Sequence, residues 1–254
     1  MQKNYSDQVV DIQKNYKEYY EAFKSYVPFN GPSLHFHSRA LGLREEVFGK
    51  NSDEQKKLFL EMIYATLVSW GMHRMGDRGA KMVDFNVFEK SIIDSWENVS
   101  NAQEYTLKNM DDKKWGVVKN IYKKVVIMSG NSHLVGNSKV MAHLLPDIVA
   151  PIDREYTISF LNKRKLKRGM KTKIVPNNRN NTITKKNDEE YKQWDVFYNI
   201  TEGFFHKIAQ DGSVQKFYND KKGSCNWNTS LLKFVDNLVI GAKPKKIKKK
   251  IKGK

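Results

Sequence analysis

LVGNSKVMAHLLPDIVAPIDREYTISFL, residues 134–161, decides how this chain is read. Gly136 and Asn137 tolerate the positive φ of a tight turn, so the stretch predicts a loop from Gly130 to Asn137 feeding a short helix from Ser138 to Leu145. Lys139 then falls in the first turn of that helix. Pro146 and Pro151 bracket a further turn, and Asp153 opens another helix running to about Arg164. A helix N-terminus offers unpaired N–H groups and the positive end of a dipole, which suits a phosphate. Gly136, Asn137 and Ser138 are therefore candidates for holding a nucleic-acid backbone without reading its sequence, with an ordinary helix–turn–helix connection as the plainer alternative. An N-capping Asp153 is favoured as a carboxylate, suited to stabilising an oxocarbenium-like sugar or orienting a nucleophile; a simple cap is its plainer role. Lys139 is either a solvated phosphate contact or, if its amine is desolvated, a nucleophile.

Working outward, helical spacing of apolar residues predicts further helices at 3–26, 53–75, 84–98, 101–109, 112–129, 188–210 and 226–240. Asp53 is the expected cap of the second, and Asp111 and Asp112 start the helix at 112. Residues 28–44 and 70–82 read as loops. Alternating β-type runs are nearly absent, so the chain reads as all-α, with one helical domain over 1–241. Within it, 163–187 is a basic mobile loop. Ala242 to Lys254 carries eight lysines in thirteen residues and is expected to be a disordered tail.

The charge balance points to a partner. Lysine and arginine number 45 against 28 acids in 254 residues, a net charge of +17, and the body remains at +9 without the tail. Such an excess repels itself unless a polyanion, such as a nucleic acid, is the usual partner. The single cysteine, Cys225, excludes a disulfide framework and a cysteine-ligated zinc or iron–sulfur site. It fits a reducing, cytoplasmic setting, nucleoid-associated if the source is bacterial. MQKNYSDQ has no apolar signal-peptide core, and no apolar run is long enough to span a membrane. The expectation is a monomer with no cofactor and no metal.

Other candidates are more diffuse. His35 and His37, in SLHFHSR, point to one side if extended, and Trp70 and Arg74 flank glycine turns. Because flipped bases are held by stacking on aromatics, His35, His37 and Trp70 are candidate pocket residues, with Arg74 and Arg154 as DNA contacts. The structural alternatives are core histidines, a core Trp70 and a solvated Arg74. Asp147 and Asp153 together are the candidate ligands of a metal-dependent nuclease.

The segment resembles the helix–hairpin–helix DNA glycosylases, and within them the 8-oxoguanine branch. That family carries a hairpin of the form L-P-G-V-G-x-K-x-A followed by an aspartate that opens a helix, as in V-P-V-D-x-H. The matching stretches here are VGNSKVMA and APIDREY. Val135 and Asn137 stand where the family has its two hairpin glycines, and Asp153 follows Lys139 by 14 residues. The resemblance implies two packed helical subdomains with the cleft between them, and a helix–hairpin–helix at about 112–146. It implies an enzyme that flips a modified or damaged base and cleaves its N-glycosidic bond, in base-excision repair or in defence against phage with modified DNA. Lys139 then takes the place of the Schiff-base lysine and Asp153 that of the essential aspartate, with weak abasic-site lyase chemistry. A non-catalytic helical DNA-binding protein and the metal nuclease are the other readings.

Overall fold

The computed structural model describes residues 5–26, 31–50, 52–74, 81–130, 133–162 and 186–243. The basic stretch expected to be a mobile loop lies almost wholly outside them, as does the tail beyond Lys243. The elements are α1 (Ser6–Tyr26), α2 (Pro32–Lys50), α3 (Asp53–Ser69), α4 (Phe85–Ile93), α5 (Trp96–Asn101), α6 (Asp112–Lys124) and α7 (His133–Leu144). After a wide turn at Arg154–Ile158 come α8 (Lys186–Ile200), prolonged through Thr201–His206 to Ala209, then α9 (Gly212–Lys221) and α10 (Leu231–Gly241). The described chain is all-helical apart from a single antiparallel bridge between Met82 and Met128.

Local chemistry sets the boundaries. Ser52, rather than Asp53, caps α3 by accepting the Gln55 N–H at 3.2 Å. Asp111 caps α6 through the Lys114 N–H at 2.8 Å, and Ser230 caps α10 through the Lys233 N–H at 3.1 Å. The helix expected to reach 129 stops at Lys124. The run Val125-Val126-Ile127 is β-branched and turns extended there, where Val83 donates its N–H to the Ile127 carbonyl. The supposed loop at 28–44 is largely the helix α2, which Pro32 starts at a position where a missing N–H costs nothing.

The first helix packs on the last. Gly241 of α10 meets α1 so closely that a Cβ there would overlap the Tyr19 carbonyl oxygen. α1, α9 and α10 thus form one group. α2 through α7 form another, in which α2 lies along α3 and α7 contacts both. The long helix α8 and its continuation touch both groups, packing on α6 and α7 at one end and on α1 and α10 at the other. A continuous apolar core joins them, from Tyr5 and Ile12 through Phe59, Ile63 and Tyr122 to Phe204 and Phe234. The segment 145–158 links α7 to the α10 side, and a cavity opens beside it.

Candidate functional site

The hairpin turn comes earlier than expected. α7 begins at His133, so Gly136, Asn137 and Ser138 sit in its first two turns rather than in the preceding loop, and all three are buried. The expectation that they meet phosphate is corrected, because each has a structural partner. Gly136 faces Ile127 and Met128, and a Cβ would stand 2.8 Å from the Ile127 Cγ2. Asn137 donates from Nδ2 to the carbonyls of Tyr122 and Val125, at 2.9 and 3.1 Å, so it satisfies the open C-terminal end of α6. Ser138 Oγ accepts the Ile152 N–H at 3.0 Å and donates to the Val135 carbonyl. Ser138 therefore fixes the backbone one residue before Asp153.

That tether brings the two predicted catalytic residues together. Lys139, in the second turn of α7, donates from Nζ to Asp153 Oδ2 at 2.9 Å. Lys139 is 6% exposed, whereas the Asp153 side chain is 28% exposed, so the carboxylate is the outward member. Asp153 caps the turn that follows, accepting the Glu155 N–H on Oδ1 at 2.7 Å. That turn is a wide one, closed by the Ile158 N–H reaching back five residues to the Asp153 carbonyl. Burial works to raise the Asp153 carboxyl. The charge and hydrogen bond of Lys139, with the N–H groups of Glu155 and Tyr156, outweigh it and hold the group below the usual carboxylate range. Ser138→Ala removes the acceptor of a buried N–H, so it is expected to cost about 1–3 kcal/mol in a urea melt. It should also lower any Asp153-dependent activity more than the stability loss explains.

A cavity of about 620 Å³, counted out to its open mouth, lies beside this pair. Trp70, Pro151, Trp227 and Ile240 line it, together with Glu155 and Tyr156. A second buried pair shares it. Lys233 donates from Nζ to Asp236 Oδ2 at 2.6 Å and to Asn237 Oδ1 at 2.8 Å. Each ammonium stands over an indole: Lys139 is 5.5 Å from the Trp70 ring centre and Lys233 is 5.4 Å from that of Trp227. Burial pushes the Asp236 carboxyl up against the pull of Lys233. The sequence reading missed Lys233, Asp236 and Trp227. A signal existed, since two charges and an amide interrupt the apolar run LLKFVDNLVI.

The remaining candidates divide. Trp70, at the end of α3, lines the cavity. His37 is buried behind it and stacks on Trp227 at 5.2 Å. His35 is corrected. Two residues apart on a helix point to nearly opposite sides, so it faces out while His37 faces in. Arg154 is exposed in the turn after Asp153, and Arg74 ends a short helical turn at Met72–Arg74. Asp147 is exposed and pairs with Arg44 at 3.7 Å, so it and Asp153 each face a cation of their own. Among the described residues no three His, Cys, Asp or Glu side chains are grouped as metal ligands. Lys243, the first residue of the expected tail to carry charge, pairs with Glu155 and lies 4.7 Å from the Tyr156 ring centre.

The histidines behind the cavity form a directed chain. His143 Nδ1 donates to the Lys139 carbonyl at 2.8 Å, which makes its Nε2 the acceptor for His37 Nδ1–H at 3.0 Å. Thr229 Oγ1 completes the line at 3.1 Å from His37 Nε2. Burial holds His143 and His206 down at about 4 and His37 well below its ordinary value. The folded state keeps these rings neutral, so the unfolded chain binds the extra protons. The stability they contribute is complete above about pH 6.5 and falls below it; for His143 and His206 it is lost toward pH 4, at about 1.4 kcal/mol per pH unit for each of the two. Thermal melts between pH 7.5 and 4.5 are expected to show a steep acid limb. His206→Gln, which keeps a donor near the Ile148 carbonyl that His206 holds at 2.7 Å, should make it shallower.

No helix among the described residues is long and apolar enough to cross a membrane. Compared with protein-family models, with characterised proteins and with solved structures, the chain matches none.

Proposed function

We propose that the protein is a DNA glycosylase of helix–hairpin–helix type, acting as a monomer on double-stranded DNA that carries a modified or damaged base. The observation that carries the reading is the 2.9 Å contact between Lys139 and the outward carboxylate of Asp153, at a cavity walled by two tryptophans. The pairing of first helix with last, and a cavity lined from both helix groups, support the two-subdomain arrangement. A flipped base enters the cavity and rests on its aromatic wall. Asp153 then faces the sugar and stabilises the positive charge that develops as the N-glycosidic bond breaks. Lys139 lines the site and holds the carboxylate in place. Unstacking costs a few kcal/mol, and the basic surface offsets it by binding phosphates.

The test is alkali-labile strand breakage in modified duplexes incubated with pure protein and a chelator. Abasic sites that form without metal support the reading. Breakage that needs added metal favours a nuclease centred on Asp147 and Asp153, and binding with no breakage favours a non-catalytic DNA-binding protein. Deleting residues 244–254 removes seven lysines but keeps Lys243 on Glu155. It is expected to weaken binding to all sequences alike. The salt slope should fall by up to about 0.9 for each phosphate that the shortened chain no longer neutralises, with turnover at saturating DNA retained. An unchanged slope in a salt titration means that the tail does not engage DNA.

A further inference from the structure

We infer that Lys233 and Asp236 are positioning residues: through Asn237 and the Trp227 ring they fix one wall of the cavity, and with it the place at which a base presents its sugar to Asp153. The placement of Trp227 stands on the geometry alone, whereas the effect on base release rests on the glycosylase reading.

Three buried residues of α10 carry it. Asp236 and Asn237 follow Lys233 by three and four positions, so all three share one helix face. Charge sets the order of their hydrogen bonds. An ammonium has donors only, so Lys233 Nζ bonds the oxygen of the Asn237 amide, at 2.8 Å, and not its nitrogen. Asn237 Nδ2 is thereby turned the other way, where it donates to the Trp227 carbonyl at 3.0 Å and to Asn228 Oδ1 at 3.2 Å. Asn228 in turn donates to the Tyr20 hydroxyl of α1 at 3.0 Å. Asp236, at 2.6 Å, anchors the ammonium. The Trp227 ring meets the same group, since Lys233 Nζ lies 5.4 Å from its centre while the His37 ring stacks on it at 5.2 Å. Trp227 lies outside any helix, in the segment between α9 and α10, so these contacts set its place. Stability does not account for the ion pair, because apolar side chains of similar volume commonly stabilise a helix interior as well or better. What apolar side chains cannot do is dictate which way Asn237 faces. Trp227 and Asp153 line the same cavity. A wall displaced by about 1 Å misplaces the base relative to Asp153, and an error of that size costs on the order of a hundredfold in rate.

Fluorine NMR of the full-length protein labelled with 5-fluorotryptophan reads the wall directly, the Trp227 line being the one missing from Trp227→Phe. The double variant Lys233→Met with Asp236→Leu replaces the ion pair by apolar side chains of similar size. It is expected to keep or raise the melting temperature. The Trp227 line is expected to broaden or split, the mark of a ring that occupies more than one place, while the lines of Trp96, Trp115 and Trp194 stay sharp. Single-turnover base release is expected to slow at least about tenfold. In a Trp227→Leu background the same two substitutions are expected to change the rate by less than about twofold, because residues that act through Trp227 have nothing left to place. Lys233→Gln with Asp236→Asn gives the same readouts in a chain that keeps polar groups at both positions. An amide at 233 donates and accepts, so it no longer dictates how Asn237 faces. A single sharp Trp227 line in a folded variant, even one shifted by the loss of charge, overturns the inference. So does a loss of activity equally large with and without Trp227. The glycosylase reading fails separately: a broadened Trp227 line in the variant, with no base released from any modified duplex by the wild type, overturns the enzyme and leaves the wall.

Discussion

Replacing Asp153 with Asn is expected to slow base release by on the order of 10²–10³-fold while DNA affinity stays within a few-fold. The amide keeps the shape of the side chain and an oxygen able to accept the Glu155 N–H, so the turn at Arg154–Ile158 remains capped. It removes the charge that faces the developing cation, and a pre-placed charge of this kind is commonly worth about 3–4 kcal/mol in the transition state. With that oxygen on the Glu155 N–H, the amide NH2 replaces Oδ2 opposite Lys139, which loses both its acceptor and its counter-charge, so a drop in melting temperature accompanies the change. Single-turnover release from a cleaved duplex measures the rate, and a binding titration measures the affinity. A variant that folds, binds and releases base at the wild-type rate removes Asp153 from the mechanism. Outright unfolding assigns it to the cap alone.

The second large effect concerns Lys139. Borohydride present during turnover is expected to trap no more than a trace of covalent adduct, and strand nicking is expected to be weak relative to base release. Attack on the sugar requires Nζ to leave Asp153 Oδ2, to lose a proton and to approach C1′ from a position that is 6% exposed behind the carboxylate. An error in reach of about 1 Å costs on the order of a hundredfold. Lys139→Gln preserves a donor toward Asp153, so base release is expected to stay within about tenfold of wild type, with water as the nucleophile. An abundant adduct in the wild type that vanishes in Lys139→Gln contradicts this and makes the lysine the nucleophile.

The two residues on which these expectations rest were legible because both lie in a short stretch with strong local signals. A proline-bounded aspartate before polar residues is a cap in almost any context, and Asp153 is one. The helical class was equally plain, since the stripe Phe59, Ile63, Leu67 recurs with helical spacing and is buried. The boundary of α7 was not legible. Gly136 and Asn137 look like turn residues, yet one is small to allow close packing and the other caps the neighbouring helix, and both are tertiary causes. α2 escaped for a related reason. Its buried stripe is Ser33, His37, Ala40, Leu43 and Val47, which has the right period but little apolar contrast. Lys233 and Asp236 were hidden by the opposite circumstance. α10 is buried almost all round and its apolar run reads as core, so Lys233, Asp236 and Asn237, which recur at helical spacing on the face toward Trp227 and the cavity, were passed over. His35 and His37 illustrate the cost of the missed helix, because their relation reverses when the backbone is helical rather than extended.

Mass spectrometry of the small molecules released from a panel of singly modified duplexes, with chelator present, bears most directly on the central claim. The account predicts that wild-type protein frees an intact base from at least one duplex and leaves the strand with an abasic site, and that Asp153→Asn frees it on the order of 10²–10³-fold more slowly. Release of nucleotides or oligonucleotides in place of a free base, or equal release by wild type and Asp153→Asn, contradicts it.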